Sequence, residues 1–169
     1  MTPVRPGPES AVRVRTATSE DLDAVMACEE QAFTHGWSRA SWAEEIADHH
    51  VAVACAPEVV AVVAMSRVLD TAELLRVIVA PDRRRGGVGR TLVEHGVAWA
   101  ASHQATEVFL EVSADNEAAL RLYEACGFVH QYRRRDYYSP GDDALVMRRA
   151  VPGASSVPLN PEEDTCQTP

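Results

Sequence analysis

The chain of 169 residues reads as one α/β domain, a mixed β-sheet with helices on both faces. Two observations predict this. Segments rich in β-branched residues alternate with segments whose apolar residues recur every three or four positions, the periods of strand and helix. Two of the apolar strands are separated only by Pro57-Glu58, a hairpin signal, whereas later strands are joined through helices, which permits parallel pairing.

Taken in order, Val12 to Ala17 reads as the first strand. Thr18 or Ser19 then caps a helix carrying Leu22, Val25, Met26 and Phe33 at helical intervals. A short loop, His35-Gly36-Trp37, leads to Ser38 as a second cap, with Trp42 and Ile46 one turn apart behind it. Val51 to Ala56 and Val59 to Leu69 form the hairpin, and Ala72 to Ala80 is a further strand stopped by Pro81. A helix runs from Gly89 to about Ser102, burying Leu92, Val93, Val97 and Ala100. Glu107 to Val112 is a strand, and Asp115-Asn116 caps a helix bearing Ala119, Leu120 and Tyr123 that Gly127 ends. Phe128 to Arg135 and Ala144 to Arg149 close the sheet, giving the order βααβββαβαββ.

The ends differ from this body. Residues 1–11 are Pro- and Gly-containing without periodicity, and residues 151–169 hold four prolines and the acidic triplet Glu162-Glu163-Asp164. Both read as disordered, which leaves 12–150 as the folded domain. Hydrophobic residues make up 46% and charged residues 24%, within the globular range. The net charge is −9, about −6 without the triplet, which argues against a surface built for nucleic acid. Cys28, Cys55, Cys126 and Cys166 show no framework spacing, and no basic segment with an apolar run opens the chain. The longest apolar run, Val59 to Met65, is too short for a membrane span. A reduced, cytoplasmic domain is expected. The six histidines form no His-Glu-x-x-His or similar cluster, so no metal is expected.

Residues 81–90, Pro-Asp-Arg-Arg-Arg-Gly-Gly-Val-Gly-Arg, lie between a predicted strand and a predicted helix. Gly86, Gly87 and Gly89 let backbone N–H groups turn toward one point, and the helix start adds its positive dipole end. Arg83, Arg84, Arg85 and Arg90 add charge, so a diphosphate suits the loop. It is neither a P-loop, because Arg90-Thr91 follows Gly89, nor a dinucleotide fingerprint, because the third glycine position holds Leu92. A Gly-rich turn with exposed arginines is the alternative that the loop alone leaves open.

The loop has company. Arg84-x-x-Gly87-x-Gly89 resembles the cofactor signature of the GNAT superfamily of N-acetyltransferases, and Asn116-x-x-Ala119-x-x-x-Tyr123-x-x-x-Gly127-Phe128 is similar to its second landmark. Arg134-Arg135-Asp136-Tyr137-Tyr138, followed by Asp143-Ala144-Leu145-Val146-Met147, resembles the bacterial ribosomal-protein-alanine acetyltransferases. The resemblance spans residues 12–149. It implies a mostly antiparallel GNAT-like sheet whose two central strands, ending at Val79 and Val112, splay into a V that holds acetyl-CoA as co-substrate.

Residue by residue, the resemblance implies that the backbone of Val77, Ile78 and Val79 pairs with the pantetheine arm. It implies that the N–H groups of Arg85, Gly86, Gly87, Val88, Gly89 and Arg90 hold the pyrophosphate. Asn116 reaches the cofactor arm or is a plain helix cap. Glu111 matches the general base; its strand turns Val108, Leu110 and Val112 one way and Phe109 and Glu111 the other. Tyr123 matches the general acid, and its place on an apolar helix face also suits a core aromatic. Trp37 and Tyr137-Tyr138 fall in the two loops that flank the peptide site of such enzymes, or simply anchor those loops. Gly36 stands where relatives often carry proline, which bears on substrate choice.

The activity implied is acetylation of a protein N-terminus, at the alanine end of ribosomal protein S18 or similar chains, by direct transfer in a ternary complex. An α-amine suits a carboxylate base: with a pKa near 8, about a tenth is neutral at pH 7, whereas a lysine costs about 4.6 kcal/mol to deprotonate. A small amine or a protein lysine is the alternative substrate. A non-catalytic acyl-CoA-binding module is a different class, against which the pairing of Glu111 with Tyr123 counts. Acetylation of charged tRNA suits the acidic body poorly.

Overall fold

The computed structural model describes residues 11–152. The sheet is built from β1 (Arg13–Thr16), β2 (His50–Cys55), β3 (Val59–Val68), β4 (Thr71–Val79), β5 (Glu107–Ser113), β6 (Val129–Ser139) and β7 (Asp142–Ala150). Helices α1 (Leu22–Ala32) and α2 (Arg39–Asp48) follow β1, α3 (Val88–Ser102) joins β4 to β5, and α4 (Glu117–Ala125) follows β5. The strand order is β1-β2-β3-β4-β5-β7-β6, antiparallel throughout except for β4 beside β5. The βααβββαβαββ order is therefore observed, and the mixed, mostly antiparallel sheet with it.

Two apolar layers follow from strand alternation. On one face Leu92, Val93 and Val97 of α3 and Tyr123 of α4 pack on Val108, Leu110 and Val112 of β5 and on Met65 of β3. On the other, Val25 and Cys28 of α1 and Trp42 of α2 pack on Val51, Val53, Val62 and Ile78. Gly96 permits the close approach of α3, since a Cβ there would lie 2.8 Å from the Met65 sulfur.

Several boundaries differ from the sequence reading. Thr18 caps a short 3₁₀ turn, Ser19–Asp21, that leads into α1. Its backbone N–H donates to Asp21 Oδ2 at 2.8 Å, and Arg15 pairs with the same carboxylate. Phe33 does not extend the buried stripe of α1; it is the C-cap and 41% exposed. Helix α3 starts at Val88 because Gly87, with φ of +80°, serves as its N-cap. β6 runs to Ser139, so Tyr137 and Tyr138 lie on a strand and not in a loop. The sequence reading stopped this strand at Arg135, yet it persists to Ser139 because Asp143 braces it, accepting from the Asp136 N–H at 2.9 Å.

The expectations for residues 1–10 and 153–169, Cys166 among them, lie outside the described residues. Val151 does not belong to a tail, because it is buried and its N–H donates to Thr106 O at 2.8 Å.

Candidate active site

Where β4 and β5 part company decides the site. Their parallel pairing covers only Thr71–Leu74 against Glu107–Leu110, and both strands then continue without one another. The cause lies on the other side of β4. Its register with β3 steps from Leu74↔Met65 to Arg76↔Ala64, so Leu75 is the extra residue of a β-bulge. A bulge bends its strand, and here it falls where β4 must leave β5. The V-shaped splay is a consequence of that one added residue.

Backbone alternation assigns the walls. The Ala80 N–H donates to Val60 O at 2.8 Å, so Ile78 directs its own N–H and C=O into the β3 ladder while Val77 and Val79 turn theirs to the open side. The guanidinium of Arg84 donates to the Val79 carbonyl at 3.1 Å from that side. At the mouth of the V, the first intrahelical bond of α3 runs from the Thr91 N–H to Gly87 O at 3.0 Å. The N–H groups of Val88, Gly89 and Arg90 are thus the unpaired donors of a helix start, where the dipole favours an anion. Arg85, with φ of +64°, and Gly87 shape the turn before it. Gly89 serves packing: a Cβ there would meet Leu122 at 3.3 Å and Val79 at 3.5 Å. Asn116 is the N-cap of α4, its Oδ1 accepting from the Ala119 N–H at 3.1 Å.

Glu111 is the first residue of β5 beyond the last pair with β4. Its strand neighbours Leu110 and Val112 point into the α3–α4 layer, which sends Glu111 to the opposite face. On that face α1 and α2 cover the sheet as far as β4, leaving β5, β7 and β6 as an open floor. Glu111, Val146 and Tyr132 form one cross-strand row, and Ser113, Ala144 and Arg134 the row two residues on. Arg134 therefore shares the face of Glu111, and its Nη1 lies 2.9 Å from Glu111 Oε1. The guanidinium also stands 5.3 Å from the Tyr137 ring and 5.9 Å from the Tyr132 ring.

The aromatic residues fall in three places, with Tyr137 and Tyr138 beside Glu111. Tyr137 and Tyr138 meet edge to face at 5.0 Å. The Tyr137 hydroxyl has its pKa raised by its hydrogen bond to Glu111 and by that carboxylate's charge. Burial raises Tyr138, and Glu111 adds to it. Tyr123 sits on α4 in the α3–α4 core, 6.0 Å from the Phe128 ring, and burial pushes its pKa up to about 12. Trp37 lies in the α1–α2 connection, 4.9 Å from Trp42.

Sequence reasoning missed Arg134 as a partner of Glu111, Glu73 near both, and the buried Glu29. Burial and the Glu111 charge raise the pKa of Glu73, while Arg134 opposes them. Glu29 had a legible signal, since it stands four residues after Val25 on the apolar stripe of α1, where a charged residue needs a reason. Cys126 is buried with its thiol pKa raised, which makes it a core residue and a poor nucleophile. Surface hollows of about 360 Å³ beside Arg13 and Pro57 and about 240 Å³ between Leu22 and Ile46 lie away from Glu111. Among the described residues no group of three or more His, Cys, Asp or Glu is placed to hold a metal ion, and no helix is long and apolar enough to cross a membrane.

A seven-stranded, mostly antiparallel sheet opened between two parallel central strands, with a glycine-shaped helix start at its mouth, defines an acetyltransferase architecture. The acetyltransferase (GNAT) family model matches residues 22–128, and the chain belongs to that family. The chain is 32% identical over 139 residues to the ribosomal protein bS18-alanine N-acetyltransferase of Escherichia coli, covering 79% of this chain and 94% of that protein. It is 33% identical over 135 residues to the Salmonella typhimurium enzyme of the same name, covering 77% and 91%. The crystal structure of the ribosomal-protein-S18-alanine N-acetyltransferase from Escherichia coli superposes with a TM-score of 0.80 at 29% identity, covering 86% of this chain and 97% of that one.

Proposed function

We propose that this protein transfers the acetyl group of acetyl-CoA to the N-terminal α-amine of a protein in the cytoplasm, its substrate being the alanine end of ribosomal protein bS18 or a similar chain. The observation that carries this reading is the place of Glu111. It is a carboxylate on β5 just past the end of its pairing with β4, beside the Tyr137-Tyr138 pair. Relatives that match over nine-tenths of their length and bear that activity support it.

The residues fit the cofactor. The helix start at Val88 to Arg90 offers N–H donors for the pyrophosphate, and the backbone of Val77 and Val79 offers strand-like pairing for the pantetheine arm. Bound there, acetyl-CoA supplies a thioester carbonyl for the amine to attack. Glu111, directly or through one water, accepts the proton that the ammonium must lose before attack. As the adduct collapses the C–S bond breaks, and the nitrogen's second proton passes through water to the departing thiolate, leaving the amide and free CoA thiol.

Tyr123 donates a hydrogen bond to that thiolate without surrendering its proton. A phenol near pKa 12 facing a thiol near 8.5 would meet an uphill transfer of about 5 kcal/mol. Incubation with acetyl-CoA and a panel of N-terminal peptides, read by mass spectrometry, tests the reading. One acetyl group on the α-amine of an alanine peptide is the expected product, and acetylation confined to lysine side chains or to small amines would overturn it.

A further inference from the structure

Glu29 lies on α1 with 1% of its surface exposed. Its Oε1 accepts from the Trp37 backbone N–H at 2.7 Å, and its Oε2 accepts from the Trp42 indole N–H at 3.2 Å and Arg76 Nε at 3.1 Å. A second Arg76 nitrogen closes the ion pair on Oε1. All four donors are N–H groups, so the carboxylate form satisfies every one. Apolar packing would serve the core of α1 as well as a buried ion pair does, so the value of Glu29 lies in what it holds.

It holds three things together: the α1–α2 connection through Trp37, helix α2 through Trp42, and the diverging limb of β4 through Arg76. Gly36 makes room for this, since a Cβ there would lie 2.2 Å from Glu29 Oε1. Arg76 follows the bulge residue Leu75 and, two residues before Ile78, shares its face, which is also the face of Glu111. Its guanidinium stacks 4.1 Å from the Phe33 ring and 4.9 Å from the Trp37 ring. From there its charge reaches the Tyr138 hydroxyl and works against the rise that burial causes. Arg76 thus stands between the two aromatic walls, at the seam where the α1–α2 cover ends.

We propose that Glu29 and Arg76 are the positioning pair of the acceptor pocket: Glu29 fixes the Trp37 wall and aims Arg76 as a cationic floor that admits a small uncharged first residue and rejects Lys or Arg. This rests on the peptide-acetyltransferase reading above. The physical reason is that a guanidinium clamped by a buried carboxylate and flanked by two rings cannot swing aside. Glu29 lies behind it, its side chain 2% exposed against 17% for Arg76, so a cationic first side chain would meet the guanidinium and not the carboxylate that balances it. A small side chain meets only its edge.

The test uses the full chain, peptides differing only in a first Ala, Ser, Leu or Lys, and calorimetry for acetyl-CoA. Arg76→Met should raise KM for the alanine peptide about tenfold and cut the discrimination against lysine about tenfold, with acetyl-CoA affinity nearly unchanged. Arg76→Lys keeps the charge and should keep the rejection of lysine while losing alignment. Glu29→Gln should reproduce the KM effect and alter the near-ultraviolet dichroism of the Trp37–Trp42 pair. If that variant fails to fold, Gly36→Ala, which displaces the carboxylate, provides the same reading. A wild type that acetylates no peptide would bring down the peptide reading and this proposal together. A wild type that acetylates peptides while folded Arg76→Met keeps both its KM and its rejection of lysine would bring down the proposal alone.

Discussion

Arg134 Nη1 and Glu111 Oε1 lie 2.9 Å apart, joined diagonally across β7 from the edge strand to the centre of the sheet. The pair is partly open, with the Arg134 side chain 44% exposed and that of Glu111 23%. An exposed pair of this kind holds weakly, so an incoming ammonium can compete for the carboxylate. On the proposed function, Arg134 stands in the free protein where the substrate ammonium would bind, and its charge lies against both Glu111 and Glu73.

Replacing the arginine should expose the carboxylates to the substrate. Arg134→Gln is expected to lower peptide KM about twofold to tenfold at low salt, with a smaller gain at high salt because the attraction is screened. Steady-state kinetics at two ionic strengths measure it, and a raised KM would mean that Arg134 grips the peptide itself.

Glu111→Gln keeps shape and removes the proton acceptor. Acetyl-CoA affinity should survive while kcat/KM falls about a hundredfold at pH 7, the lower end for general-base catalysis because part of the α-amine is already neutral. The deficit should shrink as pH passes the amine's own pKa. Equal impairment at pH 7 and pH 9 would assign Glu111 to holding the peptide.

The turn before α3 tests the cofactor site. Gly87 adopts φ of +80°, and proline requires about −65°, so Gly87→Pro both removes an N–H and forces the turn to reshape. Calorimetry should show acetyl-CoA binding weakened far more than the melting temperature falls. Unchanged affinity in the folded variant would remove this loop from the site.

His50 gives the fold an acid-sensitive point. Its ring stacks on Trp99 at 4.6 Å with Nε2 buried and unpartnered, and burial, with His95 and His103 adding to it, lowers its pKa to about 4. The unfolded chain binds the proton near pH 6.5 and the native state does not, so this stability is present above 6.5 and lost as pH falls toward 4. The shift bounds the effect at about 3 kcal/mol, less whatever solvent reaches the ring. His50→Phe should flatten the fall in melting temperature between pH 7 and pH 5, and an unchanged slope would show that other groups carry the acid response.

Deleting residues 153–169 should leave melting temperature and turnover within error, because a Pro-rich, polar segment of this composition offers little apolar surface to bury. A measurable loss in either would show that the tail docks on the domain.

The order of elements, the glycine loop, the Asn116 cap and the outward turn of Glu111 were all legible in the sequence, because each depends on neighbours within a turn or two along the chain. Period two along Val108 to Val112 and helical spacing along Leu92 to Ala100 state which side is buried before any partner is known. The bulge at Leu75 was not read from the sequence. Ala72 to Ala80 carries charges at Glu73 and Arg76, three apart, which strict alternation would send to opposite faces, and only the register against β3 shows that the added residue brings them to one. β6 misled at its far end, since the stretch from Asp136 to Ser139 reads as a loop until Asp143 is seen to brace it. The Glu29–Arg76 and Glu111–Arg134 pairs join residues distant in the chain. Their meeting is fixed by strand order and register, quantities that belong to the assembled sheet and that no local period encodes.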